Sequence, residues 1–136
     1  MKVTANTAMD IQFFDQSEVP QPRDQIRIEK LTPEPYPDGW RIKVSIEVTP
    51  FQERPSLELR IRNEQRVIAE LSIIETMHRH MEFTVHVRGV TSPYGPYWAE
   101  CDLYYEDRLS PQHRVSVPFV ISPNAQSQNQ QEEVKS

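Results

Sequence analysis

The chain is poor in cysteine and glycine, and each shortage excludes something. Cys101 is the single cysteine among 136 residues, so no intrachain disulfide can form. That removes the usual support of a small secreted β-domain and points to a reducing compartment, hence a cytoplasmic protein. Only three glycines occur, Gly39, Gly89 and Gly95, and no Gly-rich phosphate loop or Gly-x-Ser-x-Gly elbow is among them. Long apolar runs are missing as well, so no membrane-spanning helix is expected. The first residues, MKVTANTAMDIQFF, lack the apolar stretch of a signal peptide. Excess positive charge is also absent: 15 basic residues face 20 acidic ones, for a net charge of -5. Such a surface does not attract phosphate backbones, so nucleic acid is not an expected partner. Nothing in the sequence calls for a cofactor or marks a catalytic centre.

What is present is period-2 alternation. In Tyr97–Tyr105, YWAECDLYY, one phase carries Tyr97, Ala99, Cys101 and Leu103, and the other carries Trp98, Glu100, Asp102 and Tyr104. A strand with one face in a core and one in water reads this way. Trp40–Thr49 alternates likewise, with Trp40, Ile42, Val44, Ile46 and Val48 inward. Ser56–Asn63 places Leu57, Leu59 and Ile61 inward. Met81–Gly89 places Met81, Phe83, Val85 and Val87 inward. Arg114–Ser122 does the same with Val115, Val117, Phe119 and Ile121, and Pro118 on its outward phase marks that strand for a sheet edge or a bulge. Gln25–Leu31 is a further short strand. In Val67–Thr76, Ala69, Leu71 and Ile73 alternate but Ile74 breaks the phase, which favours a bulged strand or a strand pair over a short helix. Thr32–Gly39, with three prolines and Asp38-Gly39, reads as a turn region that no helix or central strand accepts.

About seven short strands with turn signals every ten residues define an all-β chain, an antiparallel two-sheet sandwich, with a small barrel as the alternative. The expected division is a leader at 1–24, the sandwich at 25–122 and a Gln-rich tail at 123–136. The leader carries one apolar island, Ile11, Phe13 and Phe14, which reads as a segment able to dock onto its own sandwich or onto a partner.

The run Tyr97-x-Ala99-x-Cys101-x-Leu103 resembles the penultimate strand of immunoglobulin and fibronectin type III domains. The resemblance covers about Gln25–Ile121 and concerns the fold alone. It implies a Tyr packed in the corner at the strand start. Val44 and Ile46 stand where a disulfide-bonded member would carry its other Cys, and Leu59 and Ile61 where it would carry a core Trp. The resemblance therefore implies a disulfide-free variant.

Candidate sites follow from the faces. The outward side of the YWAECDLYY strand shows Trp98, Glu100, Asp102 and Tyr104. Flanking strands supply Arg60 and Arg62 to pair with Glu100 and Asp102, and Tyr94 extends the face. Trp, Tyr and Arg are enriched at interface hot spots, so this face is the expected contact of a non-catalytic protein-interaction or assembly module, with a protein partner or a second copy in a homodimer. Carbohydrate binding on Trp98, Tyr94 and Tyr104 is an alternative. His78 and His80, with Glu75, Glu82 or His113, form the one grouping that suggests a metal-dependent activity, and it reads more simply as exposed histidines. Cys101 falls in the core phase, where a thiol is a small hydrophobe.

Overall fold

The computed structural model describes residues 19–123. The Ile11, Phe13 and Phe14 island and the tail beyond residue 123 lie outside the described residues. Seven strands follow a short 3-10 turn at Arg23–Gln25: β1 (Ile28–Pro35), β2 (Arg41–Val48), β3 (Ser56–Arg62), β4 (Val67–Ile73), β5 (His80–His86), β6 (Gly95–Tyr104) and β7 (His113–Ile121). They form two antiparallel sheets, ordered β1-β2-β5 and β4-β3-β6-β7. The fold is a two-sheet β-sandwich, and no closed barrel forms among the described residues.

Period-2 patterning sets the core. On β2 the inward residues Ile42, Val44, Ile46 and Val48 have no exposed surface, and Leu57, Leu59 and Ile61 on β3 face them. From β6 come Tyr97, Ala99, Cys101 and Leu103. Each large aliphatic side chain fully buried here contributes about 1.5–3 kcal/mol.

Three features depart from the simple pattern. β1 continues through Pro33 and Pro35, which pair with Val44 and Ile42. The region read as a turn is therefore partly strand. It tolerates proline because β1 is an edge, bonded to β2 alone. A register shift between Ile28 and Lys30 brings Leu31 rather than Lys30 into the core. Trp40, expected inward, is 40% exposed. Strand β2 begins one residue after it, and Asp38 Oδ1 accepts the Trp40 N–H at 2.9 Å in the turn. Gly39 occupies the inner position there. It has φ +78°, and a Cβ on it would lie 3.2 Å from Pro93 and 3.3 Å from Tyr94.

β4 runs Val67–Ile73 with a register shift opposite Ile61 and Arg62, so the ambiguous stretch is a bulged strand. Its partner β3 lies inside the sheet, and β4 is an edge. β7 is the opposite edge, and Pro118 sits exposed on it as the sequence suggested.

The sandwich is sealed on one side only. β1 packs against β7 and β6, and the His113 Nδ1 accepts the Ile28 N–H at 2.9 Å across the seam. Gln112 Nε2 donates to the carbonyls of Ile26 and Arg23 beside it. No comparable set of contacts joins β4 to β5 on the other side. The end of the predicted leader belongs to this framework. Gln21 pairs with Phe51, and Arg23 bridges Glu53 and Glu106.

Tyr97 anchors the start of β6. Its hydroxyl donates to the Pro93 carbonyl at 2.7 Å, and its ring stacks on Phe119 at 5.6 Å. Desolvation raises its phenol pKa, which keeps the donor protonated. Tyr97→Phe is expected to leave the Pro93 carbonyl without this donor and to lower stability by about 1–2 kcal/mol in urea denaturation; an unchanged midpoint would mean the hydroxyl does not hold the corner.

Candidate functional site

Two surfaces stand out. The first is the outward face of β3, β6 and β7. Register places Arg60 opposite Glu100, Arg62 opposite Trp98, and Asp102 between Glu58 and Arg114. The charges expected to meet across strands do meet. Arg60 Nη1 and Nη2 donate to the two Asp102 oxygens at 3.2 Å, and Arg114 clamps the same carboxylate from the other flank at 2.6 and 2.9 Å. Arg62 Nε donates to Glu100 at 2.8 Å, and Arg60 Nε reaches Glu100 at 3.4 Å. The Arg62 guanidinium lies 4.6 Å over the Trp98 ring. On the neighbouring strand the Ser72 hydroxyl donates to Glu58 at 2.6 Å.

These side chains therefore satisfy one another. Asp102 is only 3% exposed. Desolvation pushes its carboxyl up, but the bonds from Arg114 and Arg60 outweigh this and hold it below the usual range. Glu100 behaves alike, with Arg62 supplying the stronger opposing bond. Of the aromatics expected on this face, Trp98 is half-buried under Arg62. Tyr104 is 8% exposed and so offers little free surface, a correction to its expected role. Tyr94 is exposed, but it lies just before β6 while Tyr104 ends it, so the three rings do not share one platform.

Cys101 packs in the core with no exposed surface, and burial pushes its thiol up to about 12. The histidines do not converge. His80 leans toward Glu47 at 3.7 Å, and His113 is committed to the Ile28 amide. Among the described residues no three His, Cys, Asp or Glu side chains gather in a way that suits a metal ion.

The second surface is the open side. Between β4 and β5 runs a cleft made of two successive cavities. The lower, about 650 Å³, is lined by Ile73, Ile74, Met77, Met81 and Phe83, with Arg54, His78 and His80 at its rim. The upper, about 290 Å³, is lined by Ile68, Ala69, Leu71 and Val85. Inward-pointing residues of both strands are thus only partly covered. The loop between the strands is tied to the start of β3 and to β5. Thr76 N–H donates to the Pro55 carbonyl, Glu75 N–H to the Ser56 hydroxyl, and Thr76 Oγ1 to Met81 Sδ. Glu75 takes the left-handed conformation, φ 48°, which is sparsely populated by residues other than glycine. Ile74 is 65% and Met77 72% exposed at the mouth. Sequence reading missed this cleft. Its signal was there: Ile73-Ile74 out of phase, followed by an apolar Met77 in a loop.

No protein-family model matches the sequence, and no curated protein is similar to it in sequence. Among solved structures, a glycosyl hydrolase family 2 member from Bacteroides cellulosilyticus is similar over 71% of this chain and 14% of its own, at 16% identity and a TM-score of 0.44. No helix among the described residues is long and apolar enough to cross a membrane.

Two outcomes are expected. Because Asp102 and Glu100 have pKa values lowered from 3.8 and 4.5 in the folded state, their contribution is complete above those values and is lost as pH falls below them. The melting temperature is expected to drop below pH 4.5, and Asp102→Asn to cost about 1–3 kcal/mol at pH 7 and to flatten the acid limb of the profile; an identical profile in the variant would remove Asp102 as the cause. Cys101 is expected to resist Ellman's reagent in the native chain and to react in full once the chain is denatured, and rapid native labelling would contradict its burial.

Proposed function

We propose that this chain is a non-catalytic protein-interaction module that takes an extended, apolar-bearing segment of a partner protein into the cleft between β4 and β5. The observation that carries this reading is the pairing of two apolar walls with two sheet edges. An extended segment gains main-chain hydrogen bonds from an unpaired edge and side-chain burial from the walls. Contiguous exposed apolar surface of this kind is a mark of interaction sites on soluble proteins. The outward face of β3, β6 and β7 supports the reading indirectly, because its charges are spent on one another and leave a neutral, preorganised plate.

The finer fold assignment is an immunoglobulin or fibronectin type III variant without a disulfide. The bond from Tyr97 to the carbonyl four residues upstream supports it, since such domains fix the start of the equivalent strand in this way. A cytoplasmic setting is supported by the one cysteine being a buried free thiol. Carbohydrate binding is disfavoured by the dispersal of Trp98, Tyr94 and Tyr104.

Peptides selected from a random display library on the full chain are expected to carry alternating large apolar residues. Ala69→Arg, which projects a long cation into the upper cavity from a partly exposed edge position, is expected to weaken them at least tenfold in fluorescence anisotropy with the melting temperature held. Trp98→Ala is expected to leave them unaffected. Loss in Trp98→Ala with full binding in Ala69→Arg would move the site to the outward sheet face.

A further inference from the structure

We infer that the segment taken up between β4 and β5 is an acidic strand of a partner protein that joins β5 as the fourth strand of the smaller sheet. Its apolar residues turn inward to the two cavities, and its carboxylates lie beside the cations at the two ends of β5. This deepens, and rests on, the reading of the cleft as a binding groove.

Edge chemistry selects β5. Four strands end the two sheets, β1 and β5 in one, β4 and β7 in the other. β1 carries Pro33 and Pro35 and β7 carries Pro118, and a proline has no N–H to offer a new strand. The two proline-free edges are those beside the cleft, and they are not equal. β4 is broken by the register shift opposite Ile61 and Arg62, and its Val67 carbonyl already accepts a bond from Arg66 Nη1 at 3.3 Å. β5 pairs with β2 from His86 opposite Arg41 to His80 opposite Glu47 with no shift. Just beyond the two ends, Val87 N–H donates to the Trp40 carbonyl and Val48 N–H to the Arg79 carbonyl, both at 2.9 Å. Backbone groups alternate in direction along a strand. Met81, Phe83 and Val85 therefore bond to β2, and the N–H and C=O groups of His80, Glu82, Thr84 and His86 turn to the edge.

Strand count agrees with this choice. Three strands stack on four, so a strand added to β5 stands opposite β4. There it covers Ala69, Leu71 and Ile73, which point inward and are only partly buried.

Charge defines the partner. Arg88 continues the outward phase of β5 and lines the upper cavity, and Arg54 lines the lower one. Among the described residues neither has a carboxylate partner. Glu82, the one carboxylate on β5, lies 3.7 Å from Lys43. Glu70 is exposed on the outward phase of β4, across a sandwich about 10 Å thick, and Glu75 sits in the loop before β5. A strand on β5 with carboxylates at its ends meets Arg54 at one end and Arg88 with His86 at the other. A second copy of the chain fits less well. Antiparallel pairing of two β5 strands would set the Arg54 end of one copy against the Arg88 end of the other.

Two fluorescein-labelled peptides matching the seven residues of β5 in length test this. Both carry Val and Ile at alternate positions, with glutamate in one and lysine in the other at the remaining positions. The glutamate peptide is expected to bind the full chain at least tenfold more tightly in fluorescence anisotropy, and the gap to shrink in high salt. Arg88→Glu, at an exposed site, is expected to reduce or reverse that preference. Thr84→Pro removes an edge-facing N–H and breaks no bond to β2, so it is expected to weaken the glutamate peptide at least tenfold. N-methylation of one alternate set of amides in that peptide is expected to abolish binding and of the other set to leave it, which tests strand pairing without altering the protein.

Loss with neither N-methylated set, or with both, would overturn pairing to one edge. Equal binding of the two peptides, both lost in Ala69→Arg, would overturn the acidic partner while the groove stands. If display-selected peptides and the glutamate peptide are alike indifferent to Ala69→Arg, groove and partner fail together.

Discussion

Burial of aliphatic side chains from β2, β3 and β6 between the two sheets is the interaction on which the rest of the molecule depends. Nine of the twelve largest fully enclosed side chains among the described residues come from these three strands, and with no disulfide in the chain nothing covalent assists them. β2 is the middle strand of the smaller sheet, and β3 and β6 are the inner strands of the larger. Every other strand is an edge. The edges on one side are tied together through β1 and β7, and those on the other side are left apart. The cleft is therefore a consequence of how three strands stack on four, and it needs no special loop to create it.

The outward face solves a different problem. A carboxylate as enclosed as that of Asp102 is costly to desolvate unless opposite charges meet it with good geometry. Two guanidiniums, one from each neighbouring strand, meet it bidentately, and Glu100 shares Arg60 with it. This arrangement fixes the register of β3, β6 and β7 from outside while the aliphatics fix it from inside. A slip of one residue would expose the core and strand the carboxylate at once.

Much of this was legible in the sequence. Strict alternation placed β2, β3, β5, β6 and β7 within three residues at each end, and the phase of YWAECDLYY assigned Cys101 to the core. The Arg60, Arg62, Glu100 and Asp102 pairing followed from strand neighbours alone. Three things were harder to read. Trp40 continued the alternation but belonged to the turn, because alternation cannot tell where a strand begins. The prolines of β1 looked like a turn until it was clear that β1 has one partner only. The cleft was invisible because an inward phase says which way a side chain points and not whether anything stands opposite. Ala69, Met81 and Val85 have the right phase for a core, and their partial exposure depends on the distance between the edges of two different sheets.

The seam between β1 and β7 carries one more consequence. His113 and Ile28, which it joins, stand 85 positions apart. During synthesis β1 and β2 emerge early and β7 last, so the side that is closed in the finished molecule stays unsealed until nearly the whole sandwich has left the ribosome. Folding must therefore wait on its most distant pairing, the circumstance in which β-rich chains fold slowly and expose raw edges longest. Proline in both strands of that seam, Pro33 and Pro35 in β1 and Pro118 in β7, makes each a poor template for a stray chain during the wait.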